Sequence, residues 1–273
     1  GNAVKRNVAK SGTNWQIYAI ITANQAILKG ALPMKDTLHL ADPKPRMVAH
    51  RGTSGLELEN TNSAFVAAGN RSYFGIETDV HRTADGQFIL FHDDNTKRVA
   101  QDEMIIEKTC YETLRAIRLV DKDGKKGRKD LIMPSLREYI QICKKYEKAS
   151  VLELKNHFKP EDVYAIIDII DQEGWLDHTI FISFDLQNMI CIRERLPEQK
   201  AQFLISDYPD WLVDTLKLHR LDLDIKYTAL TKERVEELHA AGIEVNVWTV
   251  DTLEDAQRMV EYGVDYITSN IVE

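Results

Sequence analysis

From Met47 to Thr268 the sequence repeats one unit, a short apolar run followed by a stretch of helical periodicity. The runs are Met47-Val48-Ala49, Gly75 to Val80, Ser150 to Leu154, Thr179 to Ser183, Ala201 to Ile205, Leu221 to Ile225, Ile243 to Val250 and Asp265 to Thr268. Apolar runs of this length, bounded by turn signals, read as buried strands. Helical spacing between them is plainest at Leu136 to Tyr146, Lys232 to Ala241 and Leu253 to Tyr262. Gly174, Gly242 and Gly263 sit where C-terminal helix glycines belong. Repeated strand–helix units imply a parallel sheet with right-handed crossovers. Eight units suit closure, so the predicted fold is α/β, a (β/α)8 TIM barrel. A chain of 273 residues fits one such barrel. No glycine-rich dinucleotide fingerprint supports an open, doubly wound sheet.

Other segments fall outside the repeat. Phe88 to Phe91 reads as a hairpin strand, joined to the Gly75 run through Asp85-Gly86. Asn60 or Asn62 is the expected N-cap of the helix carrying Ala64, Phe65 and Ala68. Residues 94–131 are too long for a simple barrel loop and are expected to form a small insertion. Its charged stretch Asp121 to Asp130 reads as a solvated loop, ahead of a phosphate patch. Residues 1–45 read as an N-terminal helical extension of the 46–273 barrel domain. Trp15 to Leu28 has apolar residues at helical spacing, and Pro33, Pro43 and Pro45 punctuate the connector.

The net charge of −8 argues against nucleic acid and anionic membrane surfaces as main partners. A bound divalent cation would reverse the sign locally, so the total charge leaves a phosphate-bearing substrate open. No apolar run reaches the length of a transmembrane helix. Cys110, Cys143 and Cys191 have neither disulfide nor zinc spacing and are expected to be buried small apolar residues. The start Gly1-Asn2-Ala3 has no Met, which is compatible with a removed signal peptide and with export, and establishes neither. Oligomeric state is not legible.

Chemistry concentrates at the strand ends. Glu77 and Asp79 are two apart on a predicted strand, so both face one way, roughly 6–7 Å apart. A solvated edge strand explains such a pair; on a buried strand the acids must be paired or ligated. Glu153 stands between Leu152 and Leu154 and faces the barrel axis if those leucines pack on helices. Three carboxylates from two strands would form an oxygen site for a hard divalent cation, Mg²⁺ or Ca²⁺. Lys155, on the same side, either holds a phosphate oxygen or neutralises an acid. His50 ends the first strand, where barrel chemistry sits, and Arg51 beside it is a bidentate oxyanion binder. His92 ends the hairpin strand. Two histidines beside a metal site fit phosphodiester cleavage, one removing a proton from the nucleophile and one protonating the leaving oxygen. Trp248 is either a wall aromatic or a flat surface for substrate carbons. His81, His157, His178 and His239 carry no clear signal.

Together these residues resemble the glycerophosphodiester phosphodiesterase family. The likeness runs through Ala49-His50-Arg51-Gly52, Glu59-Asn60-Thr61, Glu77-Thr78-Asp79-Val80, Thr83-Ala84-Asp85-Gly86 and Phe91-His92-Asp93. It continues through Met133-Pro134-Ser135-Leu136, Leu152-Glu153-Leu154-Lys155, Ser183-Phe184, Val247-Trp248-Thr249 and Gly263-Val264-Asp265. Ser269-Asn270 stands where the family often has Thr-Asp. The resemblance implies His50 and His92 as general acid and base. It implies Glu77, Asp79 and Glu153 as metal ligands, and Arg51 and Lys155 as phosphate binders. The implied reaction is metal-dependent hydrolysis of a small glycerophosphodiester to glycerol 3-phosphate and an alcohol, through a cyclic phosphate. Alternatives are a lysophospholipase D or phospholipase C-like lipid phosphodiesterase, and a phosphodiester-binding module without catalysis. The last expects a lost histidine or carboxylate, and all five positions are filled.

Overall fold

The computed structural model describes residues 36–273. The expected helix from Trp15 to Leu28 lies outside the described residues. Nine strands are present among them: β1 (Arg46–Ala49), β2 (Gly75–Arg82), β3 (Phe88–Leu90), β4 (Ala149–Leu154), β5 (Thr179–Ser183), β6 (Ala201–Ile205), β7 (Asp222–Lys226), β8 (Val245–Trp248) and β9 (Tyr266–Ser269). β1 pairs in parallel with both β2 and β9, which closes the ring. The other barrel neighbours are also parallel. Only β3 runs antiparallel, beside β2 and outside the ring, through a turn containing Gly86 at φ +79°.

The helices are α1 (Asn62–Gly69), α2 (Tyr111–Ala116), α3 (Leu136–Lys145), α4 (Pro160–Gln172), α5 (Leu186–Arg195), α6 (Leu212–His219), α7 (Lys232–Ala240) and α8 (Leu253–Tyr262). Each strand's pleat sorts its residues. Val80, Leu152, Leu154, Phe181, Leu223, Ile225 and Val247 pack outward with helix residues such as Ile140, Ile166 and Leu238. Val48, Val151, Ile180, Ile182, Leu204 and Tyr266 fill the interior. Leu152 and Leu154 thus face the helices, and Glu153 faces the axis.

Several local expectations change. The α1 N-cap is Thr61, whose side chain accepts from the Ala64 N–H; Asn62 is already helical. Asn60 is at φ 52° and its side chain turns into the barrel mouth. Strands β7 and β8 begin one and two residues later than their apolar runs, because Leu221 and Ile243 pack as the chain enters the sheet. Cys143 and Cys191 are buried, but Cys110 is exposed at the start of α2. The chain from β3 to α3 encloses its own cluster, including Phe91, Ile106, Leu114, Leu119 and Met133. Residues 121–130 form a largely exposed loop in which Arg128 pairs with Glu57, Asp121 and Asp130. Leu38 and Leu40 pair through their backbones with the C-terminal residues Ile271 to Glu273. No helix among the described residues is long and apolar enough to cross a membrane.

Candidate active site

The β2–β4 register sets Asp79 beside Glu153, and the pleat brings Glu77 to the same face. One oxygen from each of Glu77, Asp79 and Glu153 lies within 4.8 Å of the others. All three side chains are buried. Burial, then repulsion from Asp79 and Glu153, pushes Glu77 well above the carboxylate range. Burial and Asp79 push Glu153 up to about 8. Burial also opposes ionisation of Asp79, but Arg51 and Lys155 outweigh it and hold Asp79 below its ordinary value. Lys155 Nζ lies 3.0 Å from Glu153 Oε1 and 3.5 Å from Asp79 Oδ1. Even so, neither oxygen accepts a well-directed hydrogen bond. Buried, mutually repelling acids with orphaned oxygens are costly alone. That donor set fits a hard divalent cation.

The chain leaves β1 through two left-handed residues, Arg51 at φ 54° and Gly52 at φ 76°. A Cβ on Gly52 would lie 2.6 Å from the Ala64 carbonyl carbon, so the turn presses against α1. This turn directs the Arg51 N–H to Glu77 Oε2 at 2.8 Å. The guanidinium donates to Glu59 at 2.8 Å, and its Nε lies 3.5 Å from Asp79 Oδ2. Asn60 donates to Asp79 Oδ2 at 2.8 Å and accepts from Thr78 at 2.7 Å.

His50 Nδ1 lies 2.7 Å from Asn270 Oδ1. The Asn270 amide donates to Asp251 at 2.6 Å, which leaves its oxygen as acceptor for the His50 Nδ1–H. His50 Nε2 then carries the lone pair, 4.0 Å from Glu77 Oε2. Burial and the Arg51 charge lower the His50 pKa to about 4. His92 follows β3, and its Nδ1–H donates to Asp93 at 2.7 Å. Burial lowers its pKa also, against the pull of Asp79 and Asp93. Arg98 bridges Asp93 and Glu59, so hydrogen bonds link Arg51 to His92 through Glu59, Arg98 and Asp93.

A cavity opens at the C-terminal ends of the strands. His50, Arg51, Glu77, His92, Glu153 and Lys155 line one side; Ile182, Phe184, Leu204 and Trp248 line the other. Phe184 and Trp248 meet edge to face at 5.7 Å. Asp79 sits beneath, held by Arg51 and Asn60. All eight residues singled out from sequence therefore meet around one cavity. The remaining histidines considered lie elsewhere: His81 beside Glu107, His157 on Asp185, His178 on Trp175 and His239 on Asp265. Nothing in the sequence assigns Asn60, Glu59, Asn270 or Asp224 to the site, and Asn60 reads there only as a candidate helix cap. The first two stood in a family motif, and Asn270 stood out as a departure. Asp224 was hidden within the apolar run of its strand.

The model of the Glycerophosphoryl diester phosphodiesterase family matches residues 50–273. A glycerophosphodiester phosphodiesterase of Caldanaerobacter subterraneus subsp. tengcongensis is 28% identical over 83% of this chain and 94% of its own. One from Bacillus altitudinis is 26% identical over 81% of this chain and 93% of its own. Among solved structures, an Oleispira antarctica phosphodiesterase in complex with sn-glycerol-3-phosphate superposes with a TM-score of 0.75. It is 24% identical, covering 83% of this chain and 93% of that one, which speaks for a shared barrel.

Proposed function

Since the chain belongs to the glycerophosphoryl diester phosphodiesterase family, we propose that it hydrolyses glycerophosphodiesters to glycerol 3-phosphate and an alcohol. The observation that carries this reading is the buried triad Glu77, Asp79 and Glu153 beside two histidines in one cavity. These acids would hold Mg²⁺ or Ca²⁺, supplying positive charge for the phosphoryl oxygens. Residues 46–273 would form the catalytic domain, with 94–131 as its insertion and 1–45 as an extension.

His50 is suited to the base, because its neutral ring keeps the lone pair on Nε2, facing Glu77. His92 is suited to the acid, because the Asp93 carboxylate behind Nδ1 orients the ring and supports the imidazolium against the burial that lowers its pKa. In the first step His50 takes the proton of a glycerol hydroxyl, whose oxygen bonds to phosphorus. The bond from phosphorus to the head-group oxygen breaks, and His92 protonates that oxygen. Water then opens the cyclic phosphate, giving its proton to His92, while His50 returns a proton to the glycerol oxygen. Arg51 and Lys155 steady the phosphate charge through both steps. Trp248 offers the substrate carbons a flat face.

Four variants and a chelator test these roles. Exhaustive chelation should abolish turnover of glycerophosphodiesters, and Mg²⁺ or Ca²⁺ should restore it. His50→Ala and His92→Ala should each lower kcat by about 10²–10⁴-fold with metal content unchanged. Glu153→Ala should lose metal and activity together. Arg51→Ala should raise KM and lower kcat. Near wild-type turnover in both histidine variants would remove the acid–base assignment.

A further inference from the structure

Asp224 on β7 is a buried acid that lines the cavity and that the proposed reaction does not use. It is 2% exposed, and its Oδ1 has no hydrogen-bond partner. Its strand stands four places from β2 in either direction round the ring, so it faces the triad across the cavity. Burial and the Glu153 charge hold it well above the usual carboxylate range. A second orphan stands beside it. Trp248 Nε1 is buried without an acceptor. The β7–β8 register pairs Asp224 with Asn246, so Trp248 lies on the same face, two residues nearer the mouth. That spacing puts the two Cα atoms about 8 Å apart, and both residues line the same cavity.

We propose that Asp224 and the Trp248 N–H form a specificity subsite for a free hydroxyl of the substrate, and that this hydroxyl belongs to the leaving alcohol. A hydroxyl donates once and accepts, so it satisfies both orphans together. A quaternary ammonium would leave the Trp248 N–H unmatched, and the Arg51 and Lys155 charges in the same cavity oppose a cation. The assignment to the leaving alcohol rests on the reaction proposed above. An in-line displacement sends the attacking and leaving oxygens to opposite sides of phosphorus. With the attacking oxygen beside His50 and the leaving oxygen beside His92, the head group beyond that oxygen has the rest of the cavity to occupy, with Asp224 and Trp248 on its far wall. The enzyme therefore favours polyol head groups over head groups without a hydroxyl.

The test compares kcat/KM for glycerophosphoglycerol, its propyl analogue lacking head-group hydroxyls, and glycerophosphocholine. Wild-type protein should prefer the glycerol head group to the propyl one by about 10-fold or more, as a site built to bond a hydroxyl does. Asp224→Leu should erase that preference without lowering Tm, since it exchanges an orphaned buried acid for an apolar group of similar size. Asp224→Asn keeps an acceptor and should keep the preference. Trp248→Phe keeps the ring, loses the N–H and should weaken it, and this variant carries the test should Asp224→Leu fail to fold. Equal losses on all three substrates would move the hydroxyl to the common glycerol arm and overturn the head-group assignment. A loss confined to glycerophosphocholine would overturn it in favour of a cation subsite. Unchanged ratios in every variant would mean that water occupies the place. A wild type inert on all three refutes the reaction itself, whereas an active wild type with unmoved ratios refutes the subsite alone.

Discussion

His50 and His92 differ in what stands behind the ring, an amide for one and a carboxylate for the other. A neutral amide orients an imidazole and favours its charged form less than a carboxylate does, and burial with Arg51 brings His50 down to about 4. A base with that pKa keeps its lone pair throughout the neutral range. Asn270→Asp places a negative charge at the same atom and should raise the His50 pKa. A base works deprotonated, so the acid limb of kcat/KM should move to higher pH. Asn270→Leu should lower kcat with little change in KM, because the ring loses its orientation. A pH profile unmoved by Asn270→Asp would contradict His50 as the base. The two residues lie 220 positions apart, and no local pattern couples them. His50 was legible from its place just past β1, and Glu77, Asp79 and Glu153 from a strand periodicity that sets which residues share a face once the strands are buried. Asn270 and Asp224 matter through partners, or their lack, across the barrel, and only the closed ring brings those together.

Elements were legible wherever apolar periodicity sets them, as in α8, whose expected and observed bounds coincide. They were less legible where a polar side chain chooses between neighbours. Either asparagine near 61 could cap α1, yet Thr61 does so, freeing Asn60 to hold Asp79. The β1–α1 turn ties this element to the site, and Gly52 is its weak point. An alanine there meets both a positive φ and the backbone of Ala64 at 2.6–2.7 Å, which cannot swing aside as a flexible side chain would. Gly242 has a similar φ of +76° but nothing within 4 Å of the added carbon. Gly242→Ala should therefore cost about 1 kcal/mol and leave kcat alone. Gly52→Ala should cost about 2–4 kcal/mol and reduce kcat, because Arg51 and His50 move with the turn. Thermal unfolding and kinetics of the pair check this. Equal losses of Tm would show that the α1 contact gives way freely.

The whole molecule carries a net charge of −8, yet its cavity gathers Arg51, Lys155 and two histidines around three acids. The acids make stability depend on pH in a definite sense. Without a cation, burial and Asp79 raise Glu153 from an ordinary 4.5 to about 8, and burial holds Glu77 well above its ordinary value. An acid with a raised folded pKa holds its proton more tightly folded than unfolded. Its contribution is most favourable below the unfolded value and is lost as pH rises toward the folded one. Metal-free protein should therefore lose this contribution between about pH 4.5 and 8. A divalent cation competes with those protons, so its hold strengthens over the same interval. The rise in Tm on adding saturating Mg²⁺ or Ca²⁺ should accordingly grow from pH 5 to pH 8. Glu153→Gln removes one of the two titrating acids and a ligand at once, so in that variant the rise should be smaller and depend less on pH. Thermal unfolding with and without cation, at several pH values, decides the matter. A rise in Tm that stays constant with pH in the wild type would mean that the cation binds away from Glu77 and Glu153.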